Sequence, residues 1–345
     1  MKFSILFLTH SILMQLFIGQ TMHIEEGENA PSQQYKTRMF FNARLEPKDK
    51  VISGAGQFSI VDFDNYVNAM DNSTRPVMNM VYIGLADTNI QKRILKWEAE
   101  TIQYDWLVIP QIGLSMTRDG KPEAHYEHKI AAGDYDPQII EFCEALKEWD
   151  VPAFVRIGYE FNGPWNGYSP ATYKESYIKL TNAFRAHQMT KVATVWCATV
   201  DYTRNNDFMS YYPGDEYVDW WGIDIFAAEH FTDSLTIAFM DSALKHGKPV
   251  MIGETTPRHI GVLDGMESWY AWFKKYFDFI HQYPQIKAFS YINTDWSTTF
   301  LPDWGDCRLE ANEYVKTQFL NEMKSDLYLH GAPEIETLNY LNISY

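Results

Sequence analysis

Short apolar runs alternate with longer amphipathic segments along most of the chain. The short runs are nearly continuous in hydrophobic residues, as expected for strands buried on both faces of a sheet. The longer segments repeat their apolar positions at the period of a helix. We predict eight strands, beginning at or near Val51, Arg75, Trp106, Val151, Lys191, Val218, Lys248 and Ile286.

Amphipathic segments after the strands predict the helices, and several carry end signals. Asp136 and Ser169 are capping residues, and each precedes a proline that suits the first helical turn. Gly247 is suited to end the helix after the sixth strand. The predicted helices cover residues 62–70, 90–103, 136–149, 169–187, a segment ending at 247, 267–283 and 312–324.

Strands that alternate with helices indicate an α/β fold with a parallel sheet. Eight such units predict a single-domain (β/α)8 TIM barrel, whose site lies at the C-terminal ends of the strands. A doubly wound sheet is the alternative. The first strand is followed only by Gly54-Ala-Gly56, which is too short to be a dinucleotide-binding fingerprint.

The barrel is predicted to occupy residues 51–326. An N-terminal arm at 21–50 is expected to lie over the outside of the domain, and a C-terminal tail at 327–345 is expected to be a loose strap. Residues 1–20 carry Lys2 followed by an apolar run. This pattern predicts a signal peptide cleaved near Gly19, and hence a secreted protein, extracellular or periplasmic. A membrane anchor is the alternative, although the run is short for a full span.

The composition narrows the class of partner. The 345 residues include 29 Lys and Arg against 45 Asp and Glu, a formal net charge of −16. This balance argues against a nucleic-acid partner, which needs a basic surface. Beyond the signal segment we expect no membrane association, and we expect a monomer. Aromatic residues make up 16% of the chain; aromatic faces pack on sugars, although most tryptophans are expected in the core.

Cysteine and glycosylation signals add little. Cys143 and Cys197 are expected to be buried thiols, and with Cys307 they form an odd set that cannot pair fully. Asn72 and Asn342 begin sequons, so a glycoprotein is expected if the host is eukaryotic.

Two glutamates, Glu160 and Glu254, end the fourth and seventh apolar strands. The ends of these strands lie on opposite sides of a barrel mouth, so the carboxyl groups are able to face each other. Retaining glycosidases use two such groups about 5 to 5.5 Å apart. Glycoside hydrolysis is therefore the chemistry that this pattern favours.

Several motifs resemble glycoside hydrolase family 26. The segment RIGYEFNGPWNGYSPATYKESY at 156–177 resembles its acid/base strand, and YYPGDEYVDWWGIDIF at 211–226 resembles its sixth strand. MIGETTP at 251–257 is similar to the nucleophile strand of the wider clan of barrels. VISGAGQF at 51–58 is similar to the family's first strand.

The resemblance implies a role for each matching residue. Glu160 would be the general acid/base, and Glu254 the nucleophile. Arg156 would hold a carboxylate inside the barrel. Trp296 would form an aromatic floor under the cleaved sugar, and Trp165 would line a neighbouring subsite. The implied activity is a retaining endo-glycoside hydrolase on a β-linked polysaccharide of the mannan or xylan type, without metal or organic cofactor.

Two departures from the family pattern leave other functions open. Tyr159 stands where the family has His before the acid/base residue. Phe226 stands where it has a Tyr whose hydroxyl bonds the nucleophile, and His230 or Tyr291 are candidates to replace that bond. A carbohydrate-binding barrel with impaired catalysis, or a transglycosidase using the same carboxylates, are the alternatives.

The remaining candidates have two interpretations each. Asn162 is a candidate sugar contact, and Trp196 lies on a strand that faces either cleft or core. Trp165, Trp296 and Tyr291 also have a core interpretation. Asp224 is expected to support the barrel. The spacing in His125-Tyr-Glu-His128 suits a metal, but a solvated polar loop is favoured there, and no metal site is predicted.

Overall fold

The computed structural model describes residues 36–56, 59–118, 121–200 and 207–343. The predicted signal peptide and the first part of the arm lie outside these ranges. Among the described residues, no helix combines the length and the apolar character that a membrane span requires.

Eight parallel strands form a closed barrel, as predicted. Each strand pairs with its neighbours in chain order, and β1 pairs with both β2 and β8, which closes the sheet. Closure excludes the doubly wound alternative. The strands are β1 (Val51–Gly56), β2 (Met78–Gly84), β3 (Ile109–Ser115), β4 (Ala153–Ile157), β5 (Val192–Thr199), β6 (Trp220–Asp224), β7 (Val250–Thr255) and β8 (Ile286–Tyr291).

The helices cover the outside of the barrel. They are α1 (Ile60–Ala69), α2 (Ile90–Thr101), α3 (Glu127–Ala132), α4 (Asp136–Trp149), α5 (Pro170–Ala186), α6 (Ser234–Lys245), α7 (Met266–Ser268), a π-helical segment (Trp269–Phe273), α8 (Lys274–Gln282), α9 (Glu313–Met323) and α10 (Glu334–Tyr340). Short 3-10 turns include Ala228–Thr232, Trp296–Thr298 and Pro302–Trp304.

The end signals in the sequence located the helices well. Ser169 is the N-cap of α5, and Pro170 is its first residue. Helix α4 begins at Asp136, with Tyr135 rather than Asp136 as its N-cap. Gly247 follows α6 with a φ of 62°, the left-handed conformation that glycine adopts without steric cost.

One prediction was wrong around residue 127. The sequence favoured a solvated polar loop there, but Glu127 begins α3 and is completely buried. Its carboxylate accepts hydrogen bonds from the Ser169 amide and the Thr172 hydroxyl, at 3.2 and 2.8 Å. Glu127 therefore faces inward, and its hydrogen bonds connect α3 to the start of α5.

Inward-facing side chains fill the lower half of the barrel. They are mostly small or aliphatic and form one buried cluster, which includes Ile52, Met78, Ile109, Phe154, Val195, Cys197, Met251 and Ala288. Leu45 of the N-terminal arm belongs to the same cluster and is fully buried. The arm therefore does more than lie over the outside of the domain, since it contributes to the core.

Buried charges fix this arm in place. Glu46 is fully buried and accepts hydrogen bonds from the Phe41 and Ala43 amides at 2.9 and 3.0 Å. Lys287 on β8 lies 3.8 Å from Glu46 and donates to the Met39 and Lys48 carbonyls. Burial lowers the pKa of Lys287 to about 8. The arm therefore supplies the hydrogen-bond acceptors and the nearby carboxylate that the buried Lys287 ammonium group needs.

We expect Leu45→Ala to lower the free energy of unfolding by about 2 to 5 kcal/mol, the usual cost of truncating a fully buried leucine. Leu45 has a φ of 59°, so the chain accepts a sparsely populated conformation to bury this side chain. Urea unfolding monitored by tryptophan fluorescence measures the effect. Ile102→Ala, at a side chain 77% exposed, is the control and should change little.

The C-terminal tail is ordered, in contrast to the loose strap expected from the sequence. A short strand, β9 (Tyr328–Leu329), pairs in parallel with the start of β1. Helix α10 follows, and Leu341 joins the lower core cluster next to Leu45. The sequence missed these elements because both are too short to show a hydrophobic period.

Candidate active site

A cleft of about 860 Å³ opens at the C-terminal ends of the strands. Glu160 and Glu254 both line it, although 94 residues separate them in the chain. The two side chains are close enough that the charge on Glu254 raises the pKa of Glu160. The fold therefore brings the two predicted acidic residues to one site.

The backbone after β4 bends sharply to present Glu160. Gly158 and Glu160 both have positive φ, 55° and 50°. Consecutive residues of a regular strand point to opposite sides of a sheet, whereas here both Tyr159 and Glu160 line the cleft. The Asn166 side chain stabilises the bend, donating to the carbonyls of both residues at 3.0 Å.

Glu160 is placed to hold a proton. The Trp165 indole N–H donates to its Oε2 at 2.6 Å. Burial raises the pKa of Glu160 well above its usual range, and the neighbouring charges of Asp224 and Glu254 raise it further. The Trp165 hydrogen bond opposes this rise. A carboxyl group that stays protonated near neutral pH suits a general acid.

Glu254 lies on β7 and is held by Arg156. The Arg156 Nη2 donates to Glu254 Oε1 at 2.6 Å, and its Nη1 donates to both Asp224 oxygens, at 2.9 and 3.1 Å. Arg156 and Asp224 are fully buried, and Glu254 is 6% exposed. One guanidinium thus binds and orients two carboxylates.

A register shift between β6 and β7 makes this arrangement geometrically feasible. The shift pairs Asp224 with Glu254 and leaves Gly253 as an extra residue. A Cβ atom at Gly253 would lie 2.5 Å from Asp224 Oδ1 and 3.0 Å from Arg156 Nη1. Glycine is needed at this position because the ion pair fills the space of a side chain.

Asp224 supports the site from below, as the sequence suggested. The Cys197 thiol donates to its Oδ1 at 3.2 Å, in addition to the two hydrogen bonds from Arg156. Burial raises the pKa of Asp224, and the Arg156 charge opposes that rise. Asp224 has a guanidinium as a partner, whereas Glu160 has an indole N–H, so Glu160 is better suited than Asp224 to hold a proton.

Aromatic rings form the cleft wall on the β8 side. Trp296 and Trp304 lie with ring centroids 4.8 Å apart, and Phe226 packs on Trp304 at 5.1 Å. The side chain of Phe300, 78% exposed, extends this wall at the rim. Such surfaces suit the C–H faces of sugar rings.

Comparison with known proteins supports the same assignment. The family model of glycosyl hydrolase family 26 matches residues 117–305. The chain belongs to this family. It is therefore a hydrolase of O-glycosyl bonds, and the matched segment includes both cleft glutamates and Arg156.

Several relatives resemble this family 26 chain in sequence. A β-1,3-xylanase from Alcaligenes sp. is 26% identical across 85% of this chain and 68% of its own length. A β-1,3-xylanase from Vibrio sp. is 24% identical across 85% and 69%. A mannan endo-1,4-β-mannosidase from Bacillus subtilis is 30% identical across 45% of this chain and 50% of its own.

Solved structures share the fold at lower sequence identity. A family 26 β-mannanase from Bacteroides ovatus is 14% identical, with a TM-score of 0.58 over 81% of this chain and 90% of its own. The catalytic domain of an endo-β-1,4-mannanase from a Bacillus species is 12% identical, with a TM-score of 0.59 over 81% and 87%. These similarities concern the fold alone.

Among the substrate-contact candidates, Tyr159, Trp165 and Trp296 line the cleft, as the family resemblance suggested. Trp296 is 2% exposed and belongs to the apolar floor. Arg156 binds carboxylates as predicted, but it lies beneath the cleft and is fully buried, so it supports Glu254 rather than contacting a substrate.

Four predicted substrate contacts were wrong. Asn162 uses both ends of its amide on the Thr199 backbone, at 2.8 and 2.9 Å. Trp196 is fully buried against Phe161, with ring centroids 4.4 Å apart. His230 and Tyr291 do not line the cleft, and the Tyr291 hydroxyl donates to the Cys307 carbonyl at 2.6 Å. The Tyr291 hydroxyl is therefore bonded away from Glu254.

The structure identifies cleft residues that sequence reasoning missed. Asn166 orients the acid/base turn, and Tyr82 on β2 accepts a hydrogen bond at 3.3 Å from Arg156, which also holds Glu254. Further lining residues are Asn79, Met80, Arg258, Phe300, Leu301 and Trp304. The aromatic run after Trp296 could have been flagged from its composition, whereas Tyr82 carries no signal in one sequence.

His125, Glu127 and His128 are close together, with ligand atoms within 4.8 Å of one another. The His125 Nδ1 is 2.7 Å from Glu127 Oε2. The other Glu127 oxygen is engaged by Ser169 and Thr172. This cluster connects α3 to α5 and is separate from the cleft residues.

The three cysteines are all unpaired and buried, as expected for Cys143 and Cys197.

Proposed function

We propose that this protein is a retaining endo-glycoside hydrolase that cleaves a β-linked polysaccharide, with β-1,3-xylan as the first candidate. One observation carries the proposal: a carboxylate held by a buried guanidinium and a proton-holding carboxyl group line the same cleft. This pairing suits a reaction in which one group attacks carbon and the other transfers protons.

In the first step, Glu254 attacks the anomeric carbon of the sugar bound over Trp296. The bond from that carbon to the leaving oxygen breaks, and Glu160 donates its proton to that oxygen. Arg156 holds the Glu254 carboxylate in place before the attack. The products of this step are a glycosyl–Glu254 ester and a shortened polysaccharide chain.

In the second step, the ionised Glu160 accepts a proton from water as the water attacks the same carbon. The ester bond to Glu254 breaks, and the sugar leaves with its original anomeric configuration. Glu160 returns to its protonated form, and Glu254 to its carboxylate, so both groups are ready for another turnover.

The relatives favour xylan over mannan. The two β-1,3-xylanases match 85% of this chain, whereas the mannosidase matches 45%. Tyr159, in place of histidine, also makes the wall beside the acid/base residue different from the family pattern. The cleft volume of about 860 Å³ leaves room for more than one sugar ring, which supports internal cleavage of a chain.

The test is a panel of β-1,3-xylan, β-1,4-xylan, β-1,4-mannan and β-1,3-glucan, with reducing-end detection and product mass. We expect a ladder of short β-1,3-xylo-oligosaccharides, and proton NMR of the first products should show the β anomer. Prevailing mannan products would replace the substrate assignment. Tight oligosaccharide binding without products would identify a binding protein, and lengthened products would identify a transglycosidase.

We also propose that the protein is secreted after removal of residues 1–20. The support is the charged Lys2 followed by a short apolar run. N-terminal sequencing of protein from the culture medium should give a first residue near position 20. Retention of the full chain in the membrane fraction would indicate the anchor instead.

A further inference from the structure

Tyr82 is a β2 residue whose side chain lines the cleft next to the nucleophile. Its hydroxyl accepts a hydrogen bond at 3.3 Å from Arg156 Nη2, the same nitrogen that donates to Glu254 Oε1. We propose that Tyr82 is a positioning residue for the nucleophile and supplies, from the second strand, the hydroxyl that Phe226 lacks on the sixth. The proposal rests on the function proposed above.

The direction of this hydrogen bond follows from its partners. A guanidinium can only donate, so the Tyr82 oxygen accepts from Arg156 and its own proton is available for another group. The Met80 thioether, at 3.3 Å, is a weak acceptor, whereas the Glu254 carboxylate is a strong one. Burial and the Glu254 charge raise the pKa of Tyr82, so it stays a donor at any working pH.

Two donors on one carboxylate constrain it more than one does. Arg156 holds Glu254 Oε1 from below at 2.6 Å. With the Tyr82 hydroxyl as a second point of attachment, rotation of the carboxylate about its terminal bond is restricted. Phe226 offers an apolar ring packed on Trp304 at this edge of the cleft. A nucleophile fixed in its attacking orientation does not lose entropy during the reaction.

The barrel is built to hold Tyr82 in this position. Tyr82 on β2, Gly113 on β3 and Arg156 on β4 are aligned by the strand register. A Cβ atom at Gly113 would lie 2.5 Å from the Tyr82 ring. Tyr159 packs edge-on against Tyr82 at 5.3 Å, and the Arg156 guanidinium lies over both rings. The glycine lets the tyrosine ring cross β3 toward the nucleophile.

Tyr82→Phe removes the hydroxyl and keeps the ring. We expect kcat on the substrate that the panel identifies to fall about 10- to 100-fold, the effect of losing one hydrogen bond to a charged group, with KM within about twofold. A lower kcat with a nearly unchanged KM is the pattern expected when a group orients the nucleophile without holding the substrate. The charged groups facing Glu254 are Arg156, Asp224 and Glu160, which the variant leaves in place.

Two further variants separate positioning from general destabilisation. Gly113→Ala should displace the Tyr82 ring and reproduce the kinetic loss with the hydroxyl still present. Tyr291→Phe removes a buried tyrosine hydroxyl that bonds the Cys307 carbonyl, away from the cleft. It should lower the thermal midpoint and leave kcat and KM unchanged.

A double-mutant cycle gives a readout that does not depend on activity. Thermal midpoints of Tyr82→Phe, Glu254→Gln and the double variant should be non-additive, because the proposed hydrogen bond joins the two groups. Additive midpoints, or an unchanged kcat in Tyr82→Phe, would overturn the positioning role. A wild-type protein that cleaves no polysaccharide would instead overturn the proposed function, and the cycle would still decide whether hydroxyl and carboxylate are coupled.

Discussion

Replacing Glu254 with alanine should reduce kcat on the true substrate by roughly 10⁴- to 10⁶-fold, in the range found when a covalent nucleophile is removed. The fold should persist, because Arg156 keeps Asp224 as a partner through two hydrogen bonds. Steady-state rates with reducing-end detection measure the loss, and circular dichroism measures the fold. An exposed residue, Glu229, provides the matched control, and Glu229→Ala should have wild-type activity.

The variant also makes a stereochemical test available. Truncation leaves a space beside the Arg156 guanidinium where a small anion can bind. Added azide should attack the anomeric carbon from the face that Glu254 occupied, while Glu160 still protonates the leaving oxygen. The product is an α-glycosyl azide, with the configuration opposite to that of the substrate. Normal turnover by Glu254→Ala, or azide products of the β configuration alone, would contradict the nucleophile role.

The barrel was predictable because its signal is local. Buried parallel strands are continuous apolar runs, and prolines or glycines mark the helix ends. Ser169 and Gly247 therefore located α5 and the end of α6 from sequence alone. Helix α3 was missed because Glu127, a charged residue that normally indicates solvent, is buried and satisfied by partners about 42 to 45 residues away.

The site was predictable only where strand position decides it. Glu160 and Glu254 follow apolar runs, and strand ends converge at one face of a barrel. The cleft interpretation of Trp196 and Tyr291 failed because orientation alternates along a strand. Val195 and Cys197 face the barrel interior, so Trp196 points outward to the helices. Tyr291 likewise packs against Tyr66 and Phe273 outside the barrel.

Tyr82 shows the limit of the sequence most clearly. One tyrosine in an apolar strand has the same pattern whether it packs in the core or reaches a nucleophile. What distinguishes it is Gly113, which is aligned with Tyr82 across the β2–β3 pair and leaves room for its ring. That alignment depends on how β2 and β3 pair, so it cannot be predicted from the sequence of either strand alone.

Glu160→Gln should lower kcat on polysaccharide by about 10² to 10⁴-fold, the usual contribution of a general acid or base. The loss should be smaller in the first step for aryl glycosides with good leaving groups, because these need no proton. The basic limb of the wild-type pH profile, which we assign to ionisation of Glu160, should disappear. Pre-steady-state measurement of the released aryl alcohol separates the two steps, and equal losses for all leaving groups would contradict the acid role.

The same substitution should stabilise the fold at neutral and alkaline pH. Since burial raises the pKa of Glu160 in the folded state, the folded protein binds this proton more tightly than the unfolded chain. The stabilisation from this bound proton is complete at pH values below the ordinary carboxyl pKa of about 4.3. It is lost as the pH rises through the raised pKa that Glu160 has in the folded state.

Glutamine removes that loss of stability, and its amide oxygen can still accept the hydrogen bond from Trp165. The gain above pH 7 should be about 1 kcal/mol, or roughly 2 °C in the thermal midpoint, and should shrink toward pH 4. A midpoint difference that does not vary with pH would show that Glu160 does not hold a proton in the folded state, and its role as the acid would fail with it.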